Sequence, residues 1–192
     1  MNVSTLKTWL KLQRSVWRSC RRHSMMIKRW PGFEVVEPIY WENDDPECIE
    51  IGHCVHVGPS SEISVLARSA YSKIPGRLRI GNRSWIGASC NIRAVGGTIA
   101  IGSNCLIAHQ VSLIACNHIV RPDTNYCDLG WDETRTGVTI GDNVWVGCAV
   151  TILPGCNVGD NSVIGAGSIV TKSVPSGTVW AGNPARQLRK IE

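Results

Sequence analysis

Imidazole titrates closer to neutral pH than any other side chain, so a histidine beside a cleft can take a proton from a hydroxyl. Of the five histidines in this chain, one stands where that chemistry has room. His118 ends the run VSLIACNH (residues 111–118), and the 21 residues after it interrupt a pattern that is regular on both sides. A segment that leaves a regular scaffold beside a histidine can wall off a cleft, and an unbroken scaffold could not. A lone histidine is more often a polar corner residue; its place at the interruption singles out His118. His109 is a weaker candidate, and His23, His53 and His56 read as structural or solvated. Cysteine is the other reactive type. Nine are present, an odd number without any CxxC pair, which suits reduced thiols and no metal site.

The elements that must hold these residues follow from a six-residue period. Hexads of the form aliphatic–small–x–x–small–x begin at 51, 57, 80, 86, 101, 107 and 113, and six run without a slip from IGDNVW at 140 to VTKSVP at 170. A fixed six-residue period indicates a parallel β-helix, each hexad being a short strand plus a corner. Three hexads close a triangular coil, and coils stack at about 4.8 Å. The first and fifth residues of a hexad should face inward, which makes Cys90, Cys105 and Cys156 small core residues. Asn117 falls on an inward-facing fifth place and is expected to fix the turn at His118 more than to touch substrate. Five coils are expected, starting at Ile51, Ile80, Ile101, Ile140 and Val158, with excursions at 69–79, at AVGG 94–97 and at 119–139. Stacking puts His109, Cys148 and Ala166 in one column, each the third residue of its coil's middle hexad. Trp145 is outward by register, where it could flank a substrate or pack on a neighbouring subunit.

From about residue 51 to 191 the chain resembles the hexapeptide-repeat acyltransferases, in particular the galactoside, maltose and sugar O-acetyltransferase branch. IGDNVWVGCAVTILPGCNVGDNSVIGAGSIVTKSVP (140–175), AGNPARQLRKI (181–191) and VSLIACNH carry the resemblance. It implies a left-handed β-helix and a homotrimer with clefts between prisms. It implies His118 as the base that deprotonates an acceptor hydroxyl for direct attack on acetyl-CoA. It places Cys148 and Ala166 along the pantetheine, largely through backbone groups, and Thr171, Lys172, Arg186 and Arg189 at the nucleotide end. Fixed cations suit that end, since guanidinium chelates phosphate oxygens in pairs.

The net charge of +5 is unevenly spread. Residues 1–30 carry eight Lys and Arg and no acid, whereas the remainder has 12 basic and 15 acidic residues, so the charge is an arm and not a nucleic-acid surface. Residues 4–28 read as an amphipathic helix, with Trp9, Trp17 and Leu10 opposite Lys11, Arg14 and Arg18. Such a helix suits either an anionic membrane surface or packing on protein. The expected organisation is an arm and linker over 1–45, then the β-helix over 46–192 with a short basic tail. No apolar run is long enough for a secretory signal or a spanning helix, so a cytoplasmic, possibly membrane-peripheral protein is expected. The expected activity is O-acetylation of a sugar, plausibly in surface polysaccharide or lipopolysaccharide synthesis. Acyl transfer to an amino-sugar nitrogen or an antibiotic hydroxyl is the alternative. A zinc hydratase like the gamma carbonic anhydrases is the more distant one, since a third converging histidine is missing.

Overall fold

A strand of two residues cannot stand alone; it needs a partner above, a partner below and a buried face. The computed structural model, which describes residues 29–192, provides all three by stacking the hexads into three parallel sheets. The arm over 4–28 lies outside the described residues. The first face runs through Glu34–Val35, His56–Val57, Trp85–Ile86, Leu106–Ile107, Trp145–Val146 and Val163–Ile164 to Thr178–Gly182, which turns back as the antiparallel strand Ala185–Lys190. The second comprises Tyr40–Asn43, Glu62–Leu66, Asn91–Val95, Ser112–Ile114, Thr151–Ile152 and Ile169–Val170. Ile49–Ile51, Arg77–Ile80, Thr98–Ile101, Val138–Ile140 and Cys156–Val158 form the third.

The period works because like positions stack. Ile86, Ile107, Val146 and Ile164 are register partners in successive coils, and all are fully buried. The fifth places hold Val, Ser or Cys and are buried too, Asn117 excepted. Their polar atoms are satisfied by the next coil: Ser84 Oγ donates to the Gly102 carbonyl at 2.7 Å and Cys105 Sγ to the Gly141 carbonyl at 3.0 Å. Burial pushes the Cys90, Cys105 and Cys156 thiols up, so they stay neutral packing atoms.

Corners demand a residue at positive φ, and the hexad's fourth place supplies it: Arg83 (57°), Asn104 (56°), Asn143 (53°), Ala149 (56°), Asn161 (55°) and Gly167 (69°). Each non-glycine there costs about 1 kcal/mol. The cost is met by the stack, because the fourth N–H bonds back to the preceding coil, as in Asn143 to Ser103 (2.8 Å) and Ala149 to His109 (2.9 Å). The second place is glycine for a different reason. A Cβ on Gly147 would lie 2.6 Å from the Ala166 nitrogen of the next coil.

The prism is longer than the repeat. Glu34–Val35 and Tyr40–Asn43 pair in parallel with the first hexad coil, so 34–45, assigned to the linker, already belong to the β-helix. Trp30, Phe33 and Trp41 close that end, with ring centroids 6.1 and 6.2 Å apart in edge-on contacts. The AVGG segment does not leave the prism: Ala94 and Val95 are buried in a long strand, and Gly96–Gly97 turn directly into the next. The first excursion spans 67–76 in place of 69–79, since Arg77 already pairs with Thr98. Among the described residues no helix is long and apolar enough to cross a membrane.

Candidate active site

His118 is exposed, but it is not the last residue of a hexad. The chain quits the prism after the buried Ala115 and rejoins it at the buried Val138, so the second excursion spans 116–137 in place of 119–139. Asn117 and His118 instead form the first rungs of a hairpin, opposite Asp132 and Trp131. Asn117 is therefore exposed, which corrects its inward placement. A carboxamide among aliphatic side chains would have been an uncompensated polar group, and leaving the prism avoids that cost.

The His118 ring stands edge-on to Trp131, centroids 6.4 Å apart and planes at 88°. Trp131 is itself fixed from two sides. Its ring lies over Gly96, where a Cβ would come within 2.5 Å of Cε3, and its N–H donates to the Tyr71 carbonyl at 2.9 Å. The Tyr71 ring tilts over it at 5.8 Å. Two residues on, the Glu133 carboxylate accepts from the Lys73 amide (2.7 Å) and the Ser72 hydroxyl (2.8 Å), which hold its carboxyl below the usual range. Asp132 is likewise held low by the Thr134 hydroxyl and amide. The two excursions thus interlock beside His118. Tyr71 and Trp131 are site residues that the hexad pattern does not mark. The available signal is topological: both excursions leave from strands of the second face, two strands apart.

His109, Cys148 and Ala166 do form one column, as the pairing of Ile107 with Val146 and of Val146 with Ile164 requires. The third residue of each hexad turns its N–H along the outside of the corner. At the other corner, following the third face, the next coil's side chain takes it. His53 donates to Asn82 Oδ1 (2.8 Å), Asn82 to Ser103 Oγ (3.2 Å), Ser103 to Asp142 Oδ1 (2.6 Å) and Asp142 to Asp160 Oδ1 (2.8 Å). In the His109 column only the first rung exists, Ala88 N–H to His109 Nδ1 at 2.9 Å. The amides of Cys148 and Ala166 meet no acceptor among the described residues, and both residues are exposed. Two open donors on successive coils make a track for amide or ester carbonyls.

Beyond Ala166 the column reaches the turn of the terminal hairpin, where Arg186 sits opposite Ala181. Arg186 and Arg189 are exposed, each with one guanidinium nitrogen on a nearby backbone carbonyl. Thr171 and the exposed Lys172 follow the edge strand Ile169–Val170, one face-width from Ala166, with Arg135 donating to the Thr171 carbonyl at 3.3 Å. Trp145 is 53% exposed, between Leu106 and Val163 on the first face. What one chain does not do is bring His118 to the column. His109 and His118 stand at opposite ends of Ser112–Ile114, on the order of 10 Å apart. Among the described residues no three His, Cys, Asp or Glu side chains converge as metal ligands would.

Models of the bacterial transferase hexapeptide and of the hexapeptide repeat of succinyl-transferase match residues 137–172 and 77–111. The galactoside O-acetyltransferase of Escherichia coli K12 is 47% identical over 94 residues, 49% of this chain and 45% of that protein. WcaF of the same organism, named as an acetyltransferase of colanic acid biosynthesis, is 30% identical over 141 residues, 73% of this chain and 69% of its own length. This chain spans about half the length of the first curated relatives it matches. Among solved structures, the Bacillus cereus N-acyltransferase AntD, in complex with a dTDP-amino sugar and Coenzyme A, superposes with a TM-score of 0.69 over 85% of this chain and 83% of its own. At 19% identity it shows the fold alone, a left-handed parallel β-helix. Coverage of more than two thirds of WcaF at 30% identity, together with the two hexapeptide models, establishes that the chain belongs to the hexapeptide-repeat transferases, in the branch that holds the galactoside and colanic acid acetyltransferases.

Proposed function

We propose that the protein transfers an acetyl group from acetyl-CoA to a sugar hydroxyl, with His118 as general base. The observation that carries this is the pair of open amides at Cys148 and Ala166, leading toward Arg186. The pantetheine arm bears amide carbonyls and ends in phosphates. A track of donors with cations at its end is the complement to such a molecule, and Lys172 and Arg189 extend the cationic end. His118 takes the proton of the acceptor hydroxyl as its oxygen bonds to the thioester carbonyl carbon. The C–S bond then breaks, the ester forms and CoA leaves as the thiol, with the proton returned through the imidazolium. An amide of the column is placed to donate to the oxygen on which charge develops. The names of the galactoside and colanic acid relatives support a sugar acceptor, and the second a surface polysaccharide.

Because one chain separates His118 from the column, the complete site takes its base from one subunit and its donor track from a neighbour. A homotrimer closes three such sites by a heterologous ring. A cytoplasmic place, with the basic arm 4–28 touching a membrane, fits a lipid-linked acceptor. The test is acetyl-CoA turnover, followed as free thiol release, on a panel of sugars and nucleotide sugars. His118→Ala should lower turnover on the order of a hundredfold or more while leaving acetyl-CoA affinity unchanged. Near-normal turnover in that variant would remove the mechanism.

A further inference from the structure

The interlocked excursions contain more than is needed to hold His118. Loop 67–76 is docked by its backbone and by polar groups: the Tyr71 carbonyl takes the Trp131 N–H, and Ser72 and Lys73 take Glu133. One face of the Tyr71 ring packs on Trp131, and the other is not used in that docking. Tyr71 remains 50% exposed, its hydroxyl without a hydrogen-bond partner among the described residues, while its backbone is fixed. It lies 5.8 Å from Trp131 at a 30° tilt, and Trp131 in turn is 6.4 Å from His118. An immobilised aromatic face left open beside a catalytic base is costly to hydrate and suited to bind the apolar C–H face of a ring.

We infer that the open face of Tyr71 is a stacking place for a second unit of the acceptor, which is then an oligosaccharide or glycan chain in preference to a monosaccharide. The inference rests on the sugar-acylation reading above. The unit whose hydroxyl reacts lies within reach of His118, and the next unit stacks on the outer face of Tyr71. Trp131 lies between Gly96 and the Tyr71 ring, so the open face is the outer one of Tyr71, one ring removed from the Trp131 that stands against His118; a single acceptor ring held at His118 would leave it unused. Tyr71 is thus a specificity residue that acts on the unreacting part of the acceptor.

The experiment compares initial rates on a monosaccharide and on the di- and trisaccharide built from it, taken from whichever sugars the wild type acetylates. Wild type should prefer the longer acceptors. Tyr71→Ala should remove that preference, lowering kcat/KM on them about three- to tenfold through KM, the scale of one aromatic contact. Any loss on the monosaccharide should be smaller than on the longer acceptors, and the KM for acetyl-CoA should not change. Tyr71→Phe should keep the preference, since the ring and not the hydroxyl is used. Equal losses on short and long acceptors would mean that Tyr71 only supports the loop, and would overturn the stacking place. So would a wild type indifferent to acceptor length. A wild type that acetylates no sugar at all would overturn the underlying reading first, and that result needs no variant.

Discussion

The two corner columns of the prism share a backbone path but not a chemistry. Each puts a residue at positive φ in the fourth place, and each bonds that residue's N–H to the coil before it. They differ one residue earlier. At one corner Asn82, Ser103, Asp142 and Asp160 accept the outward amides in turn, so the edge is internally satisfied. At the other, Ala88 is answered by His109, and then Cys148 and Ala166 leave their amides facing solvent. One corner is a splint, and the other leaves donors open to a ligand, which is the binding edge proposed above. The same coil builds either, according to whether the third side chain can accept a hydrogen bond.

If that contrast is right, one corner should convert into the other. Ala166→Asp installs the splint's solution where the Cys148 amide is open. It should raise the KM for acetyl-CoA tenfold or more, both by occupying the donor and by adding charge near the phosphates, without lowering the melting temperature. An unchanged KM breaks the comparison. In the opposite corner, Asp142→Ala deprives the Ser103 amide of its acceptor at 2.6 Å, though water can replace it. The expected cost is about 1 kcal/mol, or about 2–4 °C in Tm, with acetyl-CoA KM unaltered. The smallest effect sharpens what the columns have in common. Ala149 and Asn143 occupy the same left-handed position, at φ of 56° and 53°, yet Asn adopts it at less cost than Ala. Ala149→Gly should therefore stabilise by a few tenths of a kcal/mol, and Asn143→Gly should not. Calorimetry on the two variants would show whether corner strain is shared evenly.

The splint and the binding edge are both written in the sequence, as Asn, Ser, Asp, Asp against Ala, His, Cys, Ala at matching hexad places. The period is legible because every coil must satisfy the same stacking geometry, so Gly147 and Ile164 repeat constraints met at Gly87 and Ile107. The first coil escapes it. Tyr40–Asn43 is longer than a hexad strand, and its end is closed by Trp30, Phe33 and Trp41, whose bulk suits a cap and no interior layer. Asn117 misleads for a related reason. The count of six assigns it inward, while its pairing with Asp132 depends on a partner strand that the repeat does not encode. Tyr71 and Trp131 are invisible to periodicity altogether, since non-local docking between two excursions leaves no spacing to read. The residues proposed to shape the acceptor side are thus the ones least expressed in the repeat.

One further consequence lies in the terminal hairpin. A stack of open coils ends in unpaired strand, and each end is a template on which another chain could add. Here the first face stops when Thr178–Gly182 reverses into the antiparallel Ala185–Lys190, whose outer rim carries Arg186, Arg189 and Lys190. Like charges along that rim repel a second rim of the same kind, and the reversed direction offers the wrong polarity for another parallel coil. The cations proposed to hold phosphates therefore also act as gatekeepers against end-to-end polymerisation. The exposed basic residues that discourage end-to-end addition are the same ones proposed to meet an anionic substrate.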